Sequence, residues 1–193
     1  MIVLPRYEIR WHGRGGQGAV TASMVLAMAA IYEGKYAQAF PEFGAERRGA
    51  PVKAYTRIDD EPIRTREPIL HPDIVVVLDP SLPKKLYLEG VKDTTVFVVN
   101  TKKSAREFAS MLEVPVDRVY TVDAFKIALD ILKVPIVNTA MVGALVGVVP
   151  IVSIESVKKA VLNTFSGKLG QVNVMAVERA YQEIRGIAKE VSA

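Results

Sequence analysis

The chain has no cysteine, so it forms no disulfide, holds no iron–sulfur cluster through thiolates and offers no thiol nucleophile. Any redox centre that it serves therefore belongs to another chain. Histidine is nearly as scarce, with two among 193 residues. His12 stands beside a glycine run with no evident base partner and His71 is held between Leu70 and Pro72, so both read as structural. No repeat, low-complexity tract or linker rich in Pro, Gly or Ser divides the sequence, which makes residues 1–193 one expected domain. No basic region followed by a long apolar run opens the chain, so no secretion signal is expected and a cytoplasmic location is.

Long charge-free stretches exist, but neither reads as a membrane span. Gly15 to Tyr32 begins with a glycine loop and carries Gln17, Thr21 and Ser23, while Val134 to Ile154 is broken by Pro135, Asn138 and Pro150. Both are expected to be buried helices. Lys and Arg total 25 against 21 Asp and Glu, a net charge of +4. That mild excess suits phosphates, carboxylates or an acidic partner chain and lacks the clustering of a nucleic-acid binder. Hydrophobic residues make up 50% and the mean hydropathy is +0.20, which points to surface buried against other subunits.

Hydrophobic patterning predicts alternating elements. Residues 7–12 read as a strand and 18–33 as a helix, with Val20, Met24, Ala27, Met28 and Ile31 at helical spacing and Gly34 as its end cap. Val52 to Ile58 alternates as a half-buried strand, and Asp59-Asp60-Glu61-Pro62 supplies a turn into Ile63–Arg66, predicting an antiparallel hairpin. The continuous β-branched runs Ile74–Leu78 and Thr95–Val99 suit interior parallel strands. Ser104 and Glu107 have capping-box spacing, Val119–Val122 is a short strand, and Asn138, Ser153 and Asn173 could each start a later helix. The expected fold class is α/β: a three-layer sandwich with a mixed, largely parallel sheet and a helical C-terminal third.

In such a sheet the first glycine loop, Asp79 and Asn100 fall just past the carboxyl ends of strands, where ligands gather. Asp79 and Asn100 read first as turn residues that satisfy local backbone groups. The loop itself, His12-Gly13-Arg14-Gly15-Gly16-Gln17-Gly18, lets backbone N–H groups approach an anion at a helix start. Gly13, Gly15 and Gly18 match a dinucleotide fingerprint, and Glu42 in Phe40-Pro41-Glu42-Phe43 is the nearest acid for ribose hydroxyls, although Pro41 disturbs the strand end. A second constellation, Phe43 to Pro51, encloses Glu46, Arg47 and Arg48 between glycines and presents guanidinium forks suited to phosphate or carboxylate.

Gly-Arg-Gly-Gly-Gln-Gly, then Phe-Gly-Ala-Glu-Arg-Arg-Gly-Ala-Pro, then Arg57 to Ile63, Pro72-Asp73 and Asn138 to Ala144 follow one another in an order that resembles the gamma subunit of 2-oxoacid:ferredoxin oxidoreductases, above all the pyruvate enzyme. The likeness spans nearly the whole chain; Ala50-Pro51 replaces a glycine common in that family. The resemblance implies a heteromeric enzyme that decarboxylates a 2-oxoacid on thiamine diphosphate, passes electrons through [4Fe-4S] clusters to ferredoxin, and transfers the acyl group to coenzyme A. It places thiamine diphosphate and its Mg on alpha and beta subunits and the clusters on beta and delta. This chain has no Gly-Asp-Gly segment followed by Asn to hold a Mg-diphosphate, so it is expected to bind none of these groups alone and to have no catalytic residue or metal of its own. Scaffolding and a share in the coenzyme A path remain, with Gly13, Arg14, Gly15, Gly16, Gln17, Gly18, Glu46, Arg47, Arg48 and Asn138 as candidate contacts; Asn138 reads as a helix N-cap or as part of the same loop surface. The alternatives are a stand-alone dinucleotide oxidoreductase, and a gamma subunit serving a branched-chain 2-oxoacid or indolepyruvate enzyme.

Overall fold

The computed structural model describes residues 6–42 and 49–191. Its sheet has six strands in the order β2-β3-β1-β4-β5-β6: β1 (Arg6–Arg14), β2 (Tyr36–Pro41), β3 (Pro51–Asp59), β4 (Ile74–Val77), β5 (Val96–Asn100) and β6 (Val119–Val122). β1, β4, β5 and β6 run parallel. β3 is antiparallel to both β1 and β2. The mixed, largely parallel sheet expected from the sequence is therefore present.

The strand sequences explain the layering. β4 and β5 are apolar at successive positions because both faces are covered. On one face Trp11, Val76 and Val98 pack against α1 (Ala19–Tyr32), α4 (Ala124–Ile131), α5 (Asn138–Val148), α6 (Ile154–Thr164) and α7 (Gly167–Val191). On the other, Val75, Val77, Phe97 and Val99 meet α2 (Lys84–Leu88) and α3 (Ala105–Leu112). Trp11 is wholly buried, and its indole donates to Thr56 Oγ1 at 2.9 Å, which donates in turn to the Ser23 carbonyl at 3.1 Å. This short relay ties β1, β3 and α1 together and leaves neither the Trp11 indole N–H nor the Thr56 hydroxyl unpaired.

Several local signals worked as written. Ser104 accepts from the Glu107 N–H while Glu107 reaches back to the Ser104 N–H, a complete capping box. Ser153 caps α6. Four expectations need correction. Residues 63–66 form no strand; β3 instead finds its partners in β1 and β2, because β2, a strand the periodicity left unassigned, takes the edge. Of the α1 residues noted at helical spacing, Ala27 is buried and Val20 and Met28 pack against the core, whereas Met24 and Ile31 do not face it. Ala22, Val25, Leu26, Ala29 and Ala30 do, and Met24 and Ile31 are 53% and 54% exposed. In a helix without a charge, periodicity of large residues cannot tell one apolar face from another. Asn138 is the first residue of α5 rather than its cap, which is Val137. Asn173 lies inside α7, which starts at Gly167.

α1 leaves β1 toward one face of the sheet, whereas α2 and α3, which follow β4 and β5, lie on the other. β1 and β4 are parallel neighbours. The crevice beyond their carboxyl ends is thus a topological switch point, the place where open α/β sheets bind ligands.

Candidate functional site

The glycine loop fills that crevice. Gly16 and Gly18 have φ values of +98° and +81°, a backbone that side chains with a Cβ adopt only under strain. The loop is fixed by its own side chains. Gln17 Oε1 accepts from the Arg14 N–H at 2.7 Å, and Gln17 Nε2 donates to Asp79 Oδ2 at 3.0 Å. Arg14 Nε donates to the same oxygen at 2.9 Å, while its Nη groups donate to Ser81 Oγ at 3.0 Å and the Gly49 carbonyl at 3.2 Å. A Cβ on Gly13 would stand 3.1 Å from Gln17 Oε1, so the close path of the backbone is what admits the amide.

Asp79 is the anchor of this arrangement. Its other oxygen accepts from the Ser81 N–H at 2.9 Å and the Ser81 hydroxyl at 2.6 Å. Partial burial works against its ionisation, but the bonds from Ser81, Gln17 and Arg14 outweigh that and hold its carboxyl below the usual range. Its reading as a mere turn residue is therefore incomplete: it satisfies Ser81 locally and also fixes two loop side chains. Asn100 also departs from the turn reading: it ends β5, and its amide bonds backbone groups distant in sequence, donating to the Leu78 carbonyl and accepting from the Phe125 N–H.

The second constellation meets the first. Gly15 N–H donates to the Ala50 carbonyl at 2.9 Å, and Gly49 N–H to the Gly15 carbonyl at 3.1 Å. Gly49 and Ala50, which lead into β3, thus lie against the glycine loop. Glu46, Arg47 and Arg48 lie outside the described residues. On the opposite side, Asn138 is 5% exposed and a Cβ on Gly18 would lie 2.6 Å from its Nδ2. The N-termini of α1 and α5 therefore converge at Gly18, and neither carries a side-chain cap bond or an acidic residue in its first turn. Two positive helix ends at one place favour an anion.

Beneath the loop, His12 is 1% exposed and its Nε2 accepts from Arg10 Nε at 2.9 Å. Burial, with the charges of Arg10 and Lys53, pulls its pKa down to about 3. It is a neutral support. Arg10 goes on to donate to the carbonyls of Tyr87 and Glu89 at 3.3 and 2.5 Å. Glu42, the acid a dinucleotide site would need, sits just past an edge strand two positions from β1 and lies 3.4 Å from Lys53 Nζ. Burial first, then the nearby Glu42 carboxylate, pushes the Tyr55 phenol up. The geometry brings Gly13–Gly18, Asp79, Ser81, Gly49 and Asn138 together and leaves the ribose acid out. Sequence reasoning missed Ser81; its only signal was its position two residues after Asp79.

The chain is an α/β protein whose glycine loop lies at the switch point of its sheet, beside two helix N-termini, a setting that suits an anion. The profile of the pyruvate ferredoxin/flavodoxin oxidoreductase family matches residues 8–183, and the chain belongs to that family. It is 57% identical over 178 residues to pyruvate synthase subunit PorC of Methanocaldococcus jannaschii, covering 92% of this chain and 96% of the relative. To the pyruvate/ketoisovalerate oxidoreductases common subunit gamma of Thermococcus kodakarensis it is 58% identical over 126 residues, covering 65% of this chain and 68% of the relative. The crystal structure of the pyruvate oxidoreductase subunit PORC from Thermotoga maritima superposes with a TM-score of 0.82 at 41% identity, over 93% of this chain and 97% of that one. No described helix is long and apolar enough to cross a membrane.

Proposed function

We propose that this chain is the gamma-type, non-redox subunit of a heteromeric oxidoreductase that converts pyruvate and coenzyme A to acetyl-CoA with reduction of ferredoxin, and that its crevice cradles the coenzyme A phosphates. The family membership and the relatives named as PorC and gamma subunits support the first part. One observation carries the second: the glycine loop, held by Asp79, lies where two uncapped helix N-termini meet. Arg47 and Arg48, which precede Gly49 in the sequence, are proposed to add guanidinium forks for the phosphates. Thiamine diphosphate, Mg and the [4Fe-4S] clusters are assigned to alpha, beta and delta subunits, as the lack of cysteine in this chain requires for the clusters. Kinship to a common subunit gamma favours a second role for the same chain, shared between a pyruvate and a branched 2-oxoacid enzyme.

The test uses the purified complex with Gly16→Asp in this chain. Nothing lies within 4 Å of a Cβ built on Gly16, so the change adds a negative charge to the cradle without a clash, and Gly16→Asn, which bears the same backbone cost at a φ of +98° without the charge, is the control. The apparent KM for coenzyme A should rise at least about tenfold, roughly 1.4 kcal/mol, while the KM for pyruvate and the thiamine content stay unchanged. An unaltered KM for coenzyme A overturns the cradle. Recovery of this chain as a fully active single polypeptide overturns the subunit.

A further inference from the structure

A second recess opens on the same edge of the sheet, beyond the carboxyl ends of β5 and β6, and shares no residue with the glycine crevice. It is an open groove of about 1150 Å³ between the start of α3, the start of α4, and Glu183 and Ile187 of α7. Two strand spacings, about 10 Å, separate it from the β1–β4 end.

Its charges do not cancel locally. Lys102, Lys103, Arg106 and Lys126 line the groove, and none of them joins an ion pair among the described side chains. The carboxylates beside them are already engaged. Glu107 closes the capping box with Ser104, Asp123 accepts from the Lys126 N–H at the head of α4, and Glu183 is bonded to Arg179.

The floor offers hydrogen-bond donors that nothing uses. Thr121 is 5% exposed and lines the groove, yet its hydroxyl makes no hydrogen bond to any described group. A buried hydroxyl left in that state lacks a partner that its site is shaped to receive. The capping box of α3 occupies the N–H groups of Ser104 and Glu107 and leaves those of Ala105 and Arg106 without an intrahelical acceptor. Both residues line the same groove. A hydroxyl, two backbone N–H groups and an arginine fork together suit one tetrahedral group with several anionic oxygens, a phosphoryl. Val116 and Ile187, 38% and 37% exposed, add an apolar wall on which the body of a ligand can lie.

We propose that this groove binds a phosphorylated small molecule of nucleotide size, its phosphoryl group held by the Thr121 hydroxyl and the Ala105 and Arg106 N–H groups. The Arg106 guanidinium and the three lysine ammonium groups close over that end, and the body rests on Val116 and Ile187. The site is separate from the glycine crevice and does not depend on what the crevice holds.

Calorimetry on the full chain, and on the purified complex, tests this with ADP and pyrophosphate as probes. The Kd for ADP should lie below about 100 µM and weaken as salt rises from about 0.05 to 0.5 M. It should rise at least about tenfold in the pair Lys103→Glu with Arg106→Glu, whose exposed side chains leave the circular dichroism unchanged, and several-fold in Thr121→Val, which keeps the β-branched shape. Pyrophosphate should compete with ADP but bind more weakly, because it cannot use the apolar wall. Gly16→Asp, which alters the crevice alone, should leave ADP affinity as it was. A chain that binds neither probe at about 1 mM, or charge and Thr121 variants that bind as tightly as wild type, overturns the proposal. Pyrophosphate as tight as ADP removes the nucleotide-sized body from it. Loss of ADP binding in Gly16→Asp assigns the ligand to the crevice and overturns the second site.

Discussion

Gly18 and Asn138, 120 residues apart in sequence, are so close that a Cβ on the glycine would stand 2.6 Å from the amide nitrogen. One residue is the N-cap of α1 and the other opens α5. The two helix N-termini therefore meet in direct contact at the end of the glycine loop.

Replacing Gly18 by alanine therefore fails twice. A left-handed φ of +81° costs a side-chain-bearing residue about 1–2 kcal/mol, and the new methyl displaces Asn138. We expect a loss of at least about 2 kcal/mol in chemical denaturation. Asn138→Gly in the same chain should return part of it, because the obstruction goes while the backbone cost stays. A double variant no more stable than Gly18→Ala would show that the contact is not the cause.

Asp79→Asn keeps the size of the anchor and removes its charge. One amide end then presents N–H groups to donors, either Arg14 and Gln17 or Ser81. Hydrogen bonds to a charged group contribute about 1.5–3 kcal/mol, so the loop should loosen more than the fold. In the assembled enzyme, the KM for coenzyme A should rise several-fold while kcat and the KM for pyruvate hold, as steady-state kinetics would reveal. A fall in kcat with KM constant would place Asp79 elsewhere in the cycle.

His12 makes stability depend on pH with a definite sign. Its folded pKa, about 3, lies below the ordinary 6.5, so between these values the unfolded chain binds the extra proton and acid favours unfolding. Stability is full above about pH 6.5 and falls as the pH drops toward 3, at up to about 1.4 kcal/mol per pH unit from this group. His12→Gln, whose carbonyl can still accept from Arg10, should flatten that slope in melts recorded from pH 7 to 4. An identical slope in the variant would exonerate the histidine.

Gly143 tests the scaffold. A Cβ there would come within 2.2 Å of the Val177 carbonyl oxygen on α7, a backbone atom that cannot step aside. Gly143→Ala should cost more than about 3 kcal/mol, or abolish soluble expression. Gly34→Ala, where no atom lies within 4 Å of the added carbon, controls for the loss of a glycine alone and should cost only about 1–2 kcal/mol for its φ of +79°.

Much of this was legible before any coordinates. Unbroken β-branched runs marked β4 and β5 because strands covered on both faces need no alternation. The capping box at Ser104 was readable because cap chemistry is local. The glycine loop, between a strand and an uncharged helix, located the crevice. What escaped depends on contacts distant in sequence. β2 was left unassigned because Tyr36–Pro41 carries no clear alternation, and without it β3 was given a false partner at 63–66. The buried face of α1 was not legible because apolar residues occur all round that helix. Asp79 looked like a turn residue because its ties to Arg14 and Gln17 span 65 and 62 positions.

The fit of Gly143 against α7 reaches the glycine loop through Asn138. Thr139, one residue past Asn138, donates to Asn173 Oδ1 at 2.8 Å, and Asn173 in turn donates to the Leu169 carbonyl. α5 and α7 are thus locked in register by a bond at one end and by touching backbones a turn further on. Neither helix can slide without the other, so Asn138 is carried on a girder whose alignment is set by residues 169–177. Substitutions on that remote helix will shift the α5 N-terminus against Gly18 as surely as changes in the glycine loop itself.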